Sequence, residues 1–419
     1  MLIQFSVGNF RSIREEQTLS MVASHDTGLS QNLVVDAGFR GALLRQVAIY
    51  GANAAGKSNL LLALESLRQM VNVSALLQEG QALPWITPYR LDKETDTQAT
   101  RFTLVFLLEG VRYQYEVAAT AQRVLYEALT AWPQSRPQVW YTRAVDAESQ
   151  ESWKFGSHFK GEKRQRHLWQ TSTRTNGLFL STAVQLNNSQ LKPVFHWITQ
   201  QLIVIVPGKT DFNPALSLER MVSEVDKARL MAILSAADVG IQSLDLRDME
   251  EQSVLPLTFI QAPFQQTQPP KWQKIVSIRE RSDGRTVEFD FGDESDGTRK
   301  LFEFAGGWLR ALDSGATLLV DEIDRSLHPH LVQMLVKLFG AASNPRNAQL
   351  IFTTHDTALL DAALLRRDQI WFVEKKQGAT RLYSLLEFSP RKHEAVERGY
   401  LLGRYGAIPF VSEPRWQHG

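Results

Sequence analysis

The alternation of apolar and polar residues divides the first part of the chain into strands and loops. Leu2–Val7 and Gln17–Val22 alternate as half-buried strands do, and residues 24–46 have the composition of a loop. From Trp85 to about Phe155 the pattern again favours strands, with Glu109-Gly110 in a position typical of a hairpin turn. The pattern predicts antiparallel strand pairs in this part of the chain.

Helical periodicity dominates the later middle of the chain. It runs from Asn187 to about Asp248 and is interrupted by the strand-like apolar run Leu202–Val206. Residues 265–270 are rich in Gln and Pro, which predicts an exposed connector. Beyond it, Val276–Arg279 and Arg285–Phe291 alternate as paired strands. No heptad pattern is sustained, so we expect no long coiled-coil arm.

A glycine-bearing segment follows the apolar run Val47–Tyr50 and precedes a helical pattern that ends near Val73. This segment, Gly51–Ser58, fits G-x-x-x-x-G-K-[ST] at every fixed position and has the strand–turn–helix context that the motif requires. Its glycines allow backbone N–H groups to point at phosphate oxygens. Lys57 can reach the β- and γ-phosphates, and the Ser58 hydroxyl can ligate Mg²⁺. The residues expected to hold the phosphates are Asn53, Ala54, Ala55, Gly56, Lys57, Ser58 and Asn59.

Two carboxylates end another apolar run, Leu318–Val320. A strand of a parallel sheet would place Asp321 and Glu322 at its carboxyl edge, where α/β folds bind ligands. Taken alone, the pair could be a polar strand end before a loop, but its position after a phosphate-binding loop favours chemistry. We expect Asp321 to complete the Mg²⁺ site and Glu322 to polarise the attacking water.

Two further signals are weak individually. His355 follows the apolar strand pattern 349–352 and two threonines, where it could contact a γ-phosphate; a lone histidine is more often a hydrogen-bonded core residue. Ser295 and Gly297 have the pattern of a serine-capped helix start that can bind an anion. Their order along the chain is more specific than either signal.

This order resembles the ABC-type ATPase heads, and within them the SMC-like branch. The matching segments are Asn9–Ser12 beside the adenine, Gly51–Ser58 as Walker A, Ser295–Gly297 as the signature, Leu318–Glu322 as Walker B, Ser326–Pro329 as the D-loop and His355 as the switch histidine. The chain looks most like the compact bacterial ATPases of phage-defence and abortive-infection operons, the RloA/AbiL type. Those proteins similarly carry Glu-Ser-Asp-Gly-Thr, here residues 294–298, and a segment like residues 399–409.

The resemblance implies an α/β fold: an ABC-type ATPase head with a mixed sheet around the phosphate-binding loop, antiparallel β elements and a helical and β insert between Walker A and the signature. It implies ATP and Mg²⁺ as ligands, with Arg11 near the base, Lys57, Glu322 and His355 as catalytic residues, and Ser58 and Asp321 on the metal. Gln185 is the candidate Q-loop residue. ATP would join two heads into a homodimer or higher oligomer, each signature facing the partner's nucleotide.

The implied function is an ATP-hydrolysing switch for a separately encoded effector, such as a nuclease, in phage defence. The alternative is a DNA-repair or chromosome-organising ATPase that acts on nucleic acid with a partner nuclease. A nuclease fused to the chain is not expected, because the short stretch after His355 has no cluster of acidic residues. We expect four segments: residues 1–84 with Walker A, 85–157 rich in strands, 158–273 mostly helical, and 274–419 with the remaining motifs.

Composition adds few constraints. Lys and Arg number 46 against 45 Asp and Glu, so no overall charge indicates a nucleic-acid or membrane partner. The basic run at 160–167 is typical of a solvated loop, with a polyanion contact as the alternative reading. The absence of cysteine excludes disulfides and thiolate metal sites. Without a signal sequence or a long apolar run, we expect a soluble, cytoplasmic protein.

Overall fold

A computed structural model describes most of the chain. The described residues are 1–36, 38–134, 136–206, 214–237, 240–248, 273–340, 342, 344–389 and 395–409. The predicted connector at 265–270 lies outside them. No helix in these ranges is both long and apolar enough to span a bilayer.

The described architecture combines eighteen strands with ten α-helices. Their bounds are β1 Leu2–Gly8, β2 Gln17–Ser20, β3 Leu33–Val35, β4 Ala42–Leu44, β5 Gln46–Gly51, β6 Thr100–Leu108, β7 Val111–Ala119, β8 Val124–Trp132, β9 Gln138–Val145, β10 Glu151–Phe155, β11 Leu202–Ile205, β12 Ser243–Asp248, β13 Gln273–Glu280, β14 Thr286–Asp290, β15 Thr317–Val320, β16 Gln349–Thr353, β17 Ile370–Lys376 and β18 Ala379–Ser384. The helices are α1 Lys57–Val73, α2 Lys93–Asp96, α3 Lys163–Ser172, α4 Phe179–Gln185, α5 Lys192–Gln200, α6 Ala215–Arg220, α7 Glu224–Ala236, α8 Asp296–Ser314, α9 Pro329–Lys337 and α10 Val396–Leu401.

The chain divides into two compact units. The first consists of Met1–Val206, Ala311–Asp324 and Gln333–Gly419, and the second of Pro207–Arg310 and Arg325–Val332. The four segments predicted from the sequence stay a prediction.

Two large sheets form the first unit. Antiparallel strands in the order β10-β9-β8-β7-β6-β1-β2 make one sheet, and the order β11-β15-β16-β5-β17-β18 makes the other. In the second sheet only β17 and β18 pair antiparallel, and the other neighbours are parallel. Every residue of β5, β15 and β16 is buried, as expected for parallel strands covered on both faces. The predicted mixed α/β fold is confirmed.

In the second unit, β12, β13 and β14 form a small antiparallel sheet. The predicted strand pair 276–279 and 285–291 is therefore confirmed as β13 and β14, with the turn at Asp283-Gly284 between them. The helix α8 begins directly after Ser295, as its capping pattern predicts.

Three local predictions need correction. The predicted loop 24–46 contains the paired strands β3 and β4, which are only three residues long and too short for alternation to reveal. The predicted solvated loop 160–167 includes the first turns of α3, because Glu162 and Gln165 form a capping box that overrides the charge of the basic run. Lys160, Lys163, Arg164 and His167 are nevertheless exposed. Finally, β15 ends at Val320, so Asp321 and Glu322 lie in the loop that follows it.

A buried carboxylate fastens the antiparallel sheet of the first unit to the helix α4. Glu127 of β8 is fully buried and accepts hydrogen bonds from the hydroxyls of Tyr115 (3.0 Å) and Tyr141 (2.9 Å). It also accepts the backbone N–H groups of Phe179 (2.6 Å) and Leu180 (2.9 Å), where α4 begins. Burial raises the pKa of Glu127, although the two backbone N–H groups, the Arg143 charge and the Tyr141 hydroxyl oppose that shift. The carboxylate thus acts as a distant N-cap for α4.

We predict that Glu127→Ala destabilises the first unit. Four buried donors would lose their acceptor, and a loss of about 3 kcal/mol or more is expected because an unsatisfied buried polar group costs about 1–3 kcal/mol. Calorimetry should show a melting temperature lower by roughly 5 °C or more. Glu116→Ala, on the neighbouring strand at a partly exposed position, is the matched control and should leave the melting temperature nearly unchanged. Equal melting temperatures for the two variants would show that the Glu127 contacts contribute nothing.

Candidate functional site

The phosphate-loop motif occupies the turn between β5 and α1. Gly56 has φ 109°, and a Cβ there would clash with the Thr380 hydroxyl, so both its conformation and its surroundings require glycine. A Cβ on Gly51 would likewise clash with the backbone oxygen of Val373 in β17. Asn53 and Ala54 are exposed at the tip of the turn, and Ala54 also has a positive φ, 60°. The local geometry is the one that the motif predicts.

A chain of hydroxyl groups braces this loop. Asn59 Nδ2 donates to Ser12 Oγ (2.6 Å), Ser12 Oγ lies 2.7 Å from Thr380 Oγ1, and Thr380 Oγ1 donates to the Ala55 oxygen (2.9 Å). Since the Thr380 proton goes to Ala55, Ser12 must donate to Thr380. The N-terminal segment and β18 therefore hold the loop in place. Thr380 belongs to no recognised motif, so its role was not predicted from the sequence.

Arg11, expected near the base, lies in the same N-terminal segment. Its backbone has φ 49°, and its N–H donates to the Thr87 oxygen (2.8 Å). The guanidinium lies 5.6 Å from the ring centroid of Phe10, and its buried Nε has no hydrogen-bond partner among the described residues. Burial lowers the pKa of Arg11. The next residue, Ser12, contacts Asn59 in the first turn of α1, so Arg11 is one residue away from a contact with this helix.

Lys57 has its ammonium group satisfied at three points. Nζ donates to the backbone oxygens of Gly51 (2.8 Å) and Ala52 (3.2 Å) and lies 2.9 Å from Nε2 of His355. An ammonium has three donors and no acceptor, so a protonated Lys57 requires His355 Nε2 to accept. Burial lowers the pKa of Lys57, whereas the charges of Asp321, Glu322 and Asp324 oppose the shift. Lysine, histidine and carboxylates thus share one electrostatic environment.

Thr353, at the end of β16, binds both acidic residues that follow β15, one through its carboxylate and one through its backbone. Thr353 Oγ1 donates to Asp321 Oδ1 (2.6 Å) and accepts the Glu322 backbone N–H (2.7 Å). Asp321 is buried, and Glu322 has a left-handed φ of 51°. Parallel pairing of Val320 with Phe352 places both chain segments at the same edge of the sheet. Sequence reasoning expected the carboxylates there but missed the threonine.

His355 links the lysine to a third carboxylate. Its backbone N–H donates to Asp324 Oδ2 (3.2 Å), while Asp324 Oδ1 is buried and has no hydrogen-bond partner among the described residues. Burial, together with the positive charge of Lys57, lowers the pKa of His355. The lowered pKa favours the neutral imidazole, which is the form that can accept a hydrogen bond from Lys57. Sequence reasoning did not single out Asp324.

Ser295 and Gly297 lie in the second unit, where they begin α8. Ser295 Oγ accepts the Thr298 N–H (3.1 Å) and is 2.8 Å from its hydroxyl, which confirms the predicted cap. A Cβ on Gly297 would come within 2.8 Å of the Ser326 backbone oxygen, and Ser326 Oγ donates to Asp296 (3.0 Å). The predicted signature and D-loop segments are therefore in contact. Ser295 itself is exposed.

Gln185, the candidate Q-loop residue, is the last residue of α4. It is exposed and lines a cavity of about 290 Å³ together with Ser74, Arg174 and their neighbours. Within the described residues, no hydrogen bond joins it to Lys57 or Asp321. The structure thus brings together Lys57 and His355, and Asp321 and Glu322 beside them, but gives Gln185 no link to this group.

We predict that the pKa of His355 lies below the usual value of about 6.5 and rises toward it in Lys57→Met. Burial remains in that variant, but the neighbouring positive charge is removed. Histidine side-chain NMR titration measures the shift, and Lys376→Met, at an exposed position of β17, is the matched control. An unchanged His355 pKa in Lys57→Met would contradict the contact. In the unfolded chain His355 is protonated at a higher pH than in the folded chain. The free energy of unfolding should therefore fall as the pH drops below about 6.5.

Comparison with family models gives a match over most of the chain. The family model described as "AAA domain, putative AbiEii toxin, Type IV TA system" matches residues 47–361, which is most of the chain. The match includes the phosphate-binding loop, Asp321, Glu322 and His355. No curated protein matches the chain.

Among solved structures, similar chains include heads of SMC proteins. An SMC head bound to the C-terminal winged-helix domain of ScpA is 14% identical, covers 93% of this chain and 99% of its own, and has a TM-score of 0.43. The SMC head domain from Thermotoga maritima is 12% identical, with 91% and 98% coverage and a TM-score of 0.41. An SMC head with an extended coiled coil, bound to the C-terminal domain of ScpA from Pyrococcus furiosus, is 13% identical, with 93% and 97% coverage and a TM-score of 0.41.

With TM-scores below 0.5, these structural similarities are too distant to bear on the activity of the chain. The family model, in contrast, matches most of the chain, and the matched residues include the elements that carry the candidate site. The chain belongs to the family of AAA domains described as "putative AbiEii toxin, Type IV TA system".

Proposed function

We propose that the chain is an ATPase that binds ATP with Mg²⁺, dimerises on ATP and acts as a switch for a separately encoded effector in phage defence. The observation that carries the proposal is the position of the Lys57 ammonium. It lies at the end of β5, within hydrogen-bond distance of His355 and close enough to Asp321 and Glu322 for their charges to affect its pKa. Membership of an AAA family supports nucleotide binding.

The phosphate-binding loop supplies the nucleotide contacts. Backbone N–H groups of residues 53–58 and the N-terminus of α1 would face the phosphates, as in other loops of this motif. Lys57 would exchange its contacts with the Gly51 and Ala52 oxygens for the β- and γ-phosphates. Arg11, with a buried Nε that has no partner among the described residues, would contact the nucleotide from the N-terminal segment.

The hard oxygen donors at this site fit magnesium. Ser58 and Asp321 would be its protein ligands, and the described residues contain no cluster of three or more His, Cys, Asp or Glu side chains that would hold a metal without the nucleotide. When bound, Mg²⁺ neutralises phosphate charge.

Glu322 is the proposed general base. It would accept a proton from the attacking water as the water oxygen bonds to the γ-phosphorus, while the bond between this phosphorus and the β–γ bridging oxygen breaks. ADP and phosphate are the products. His355 would contact the γ-phosphate and respond to its loss, because its ring already lies against Lys57.

We predict that Glu322→Gln binds ATP as the wild type does but hydrolyses it about 10²–10⁴-fold more slowly, the usual contribution of a positioned general base. The amide keeps the shape of the side chain and loses only its basicity. Binding is measured with a fluorescent ATP analogue and turnover by phosphate release. Glu148→Gln, at an exposed position between β9 and β10, is the matched control. Turnover near the wild-type rate would identify another residue as the base.

The signature segment supports a composite site made by two chains. Ser295 is exposed at the start of α8, with its hydroxyl already organised by Thr298. Its position at a helix N-terminus suits it to an anion. We propose that Ser295 and Gly297 contact the γ-phosphate of ATP bound to the partner chain, so that ATP joins the dimer and hydrolysis releases it.

The role in defence rests on the family and on the sequence resemblance. The family description refers to a toxin of a type IV toxin–antitoxin system, and the sequence resembles ATPases of abortive-infection operons. The family description supports a role in a toxin–antitoxin system. The switch for a separately encoded effector in phage defence rests on the sequence resemblance.

We predict that mixing Lys57→Ala and Ser295→Arg chains restores part of the ATPase activity that each variant lacks alone. The first variant has no phosphate lysine, and in the second a bulky cation replaces the capping hydroxyl. A mixed dimer contains one intact site, formed by the Walker motifs of the Ser295→Arg chain and the signature of the Lys57→Ala chain. Phosphate release is measured after mixing, and two affinity tags establish that subunits have exchanged.

The control for folding is the melting temperature of each variant alone. A Ser295→Arg protein that hydrolyses ATP at the wild-type rate by itself would contradict the composite site.

A further inference from the structure

We propose that Thr353 is a positioning residue for ATP hydrolysis: its hydroxyl holds the carboxylate expected to ligate Mg²⁺ and the backbone of the expected general base in one geometry. This inference rests on the proposed function. Thr353 is the last residue of β16 and is fully buried. It would not touch the nucleotide and would act through Asp321 and Glu322.

The Thr353 hydroxyl is used completely. It has one proton, which it donates to Asp321 Oδ1 at 2.6 Å, and it accepts the Glu322 N–H at 2.7 Å. The short distance to Asp321 is typical of a charge-assisted hydrogen bond. This bond orients the carboxylate through Oδ1, so that Oδ2 remains for a cation. One side-chain atom thereby connects the two acidic residues of the site.

The backbone of Thr353 adds a second attachment. Its carbonyl oxygen accepts the N–H of Ile323 (3.1 Å), the residue after Glu322. Two consecutive N–H groups of the loop after β15 therefore donate to Thr353. Glu322 has a left-handed φ of 51°, a conformation that costs a non-glycine residue about 1–3 kcal/mol and persists only where its surroundings hold it. Thr353 contributes to this support by accepting the N–H groups of Glu322 and Ile323.

The residues that follow connect the same segment to the phosphate-binding loop. The Thr354 N–H donates to the Ile49 oxygen of β5 (3.1 Å), and the His355 ring contacts Lys57. Thr353 thus contacts the loop after β15 that carries Asp321 and Glu322, which we call the carboxylate loop. Thr354 contacts β5, and His355 contacts the lysine of the phosphate-binding loop. A change of the Thr353 anchor would therefore misplace the carboxylates relative to the lysine.

Threonine suits this position better than valine or serine. Its branched Cβ restricts χ1, which fixes the direction of the hydroxyl in the buried strand end. Valine has the same shape but would leave the Glu322 N–H and Asp321 Oδ1 without this partner. Serine retains the hydroxyl with less restriction of its rotamer. The two substitutions therefore separate the hydrogen bonds from the packing.

The experiment compares Thr353→Val, Thr353→Ser and the wild type. Loss of the hydroxyl should lower kcat about 10–100-fold, the usual effect of removing a residue that orients a metal ligand. Mn²⁺ affinity in the presence of ADP, measured by electron paramagnetic resonance, should weaken by a similar factor. The affinity for ADP in EDTA should stay near the wild-type value, because the phosphate contacts of the loop are retained. Thr353→Ser should retain most of the activity and of the Mn²⁺ affinity.

Thr317→Val is the matched control. Thr317 is a buried threonine at the start of β15, and its hydroxyl donates to Gln349 (3.2 Å) rather than to a carboxylate. It should keep the wild-type kcat and Mn²⁺ affinity even if its melting temperature falls. Thr353→Ala, which removes the hydroxyl without introducing a methyl group in its place, provides the same measurements if the valine variant does not fold.

The outcomes distinguish this inference from the proposed function. If the wild type does not hydrolyse ATP, the proposed function is wrong and this inference is overturned with it. If the wild type hydrolyses ATP and Thr353→Val or Thr353→Ala matches it in both kcat and Mn²⁺ affinity, only the role of Thr353 is overturned. Equal losses in Thr353→Val and Thr317→Val would also overturn it, since they would reflect packing alone.

Discussion

The candidate site depends on the parallel pairing of β15, β16 and β5. Parallel neighbours end at the same edge of a sheet, so the phosphate-binding loop, the carboxylate loop and the His355 segment meet there although they are far apart in the chain. All three strands are buried on both faces. The hydrophobic effect that stabilises them therefore also fixes the relative positions of the polar groups at their ends.

Charge balance at this edge favours a bound cation. Lys57 is one positive charge among the carboxylates Asp321, Glu322 and Asp324, all of which influence its pKa. The phosphates of a nucleotide would add further negative charge in a partly buried setting, where repulsion between charges is strong. One lysine cannot offset this charge. A divalent ion between Asp321 and the phosphates would relieve it, which is a physical reason to expect that nucleotide and metal bind together.

Motifs whose chemistry is local could be predicted from the sequence. The motif Gly51–Ser58 and its flanking residues predicted a strand, a turn and a helix, and Ser295 predicted the start of α8. Both predictions were possible because these local structures depend on neighbours within a few residues. Thr353 and Thr380 could not be found in this way. Their partners, Asp321 and Ala55, lie in other segments, and the contacts exist only once the strands have paired. For the same reason the role of Glu127 could not be predicted, because its donors lie on two neighbouring strands and on a helix that begins 52 residues later in the chain.

The contacts of Lys57 imply that nucleotide binding changes the His355 segment. In the described structure the ammonium is saturated by two loop oxygens and the histidine, so phosphates can be bound only by replacing some of these acceptors. If the lysine turns toward a phosphate, His355 Nε2 loses its donor and must find another partner. Its backbone N–H is attached to Asp324, and Thr353, two residues earlier, holds Asp321 and Glu322. Phosphate binding at the lysine would therefore be coupled through one short segment to every carboxylate of the site, so a ligand that moves Lys57 would also shift the balance between two positions of these groups.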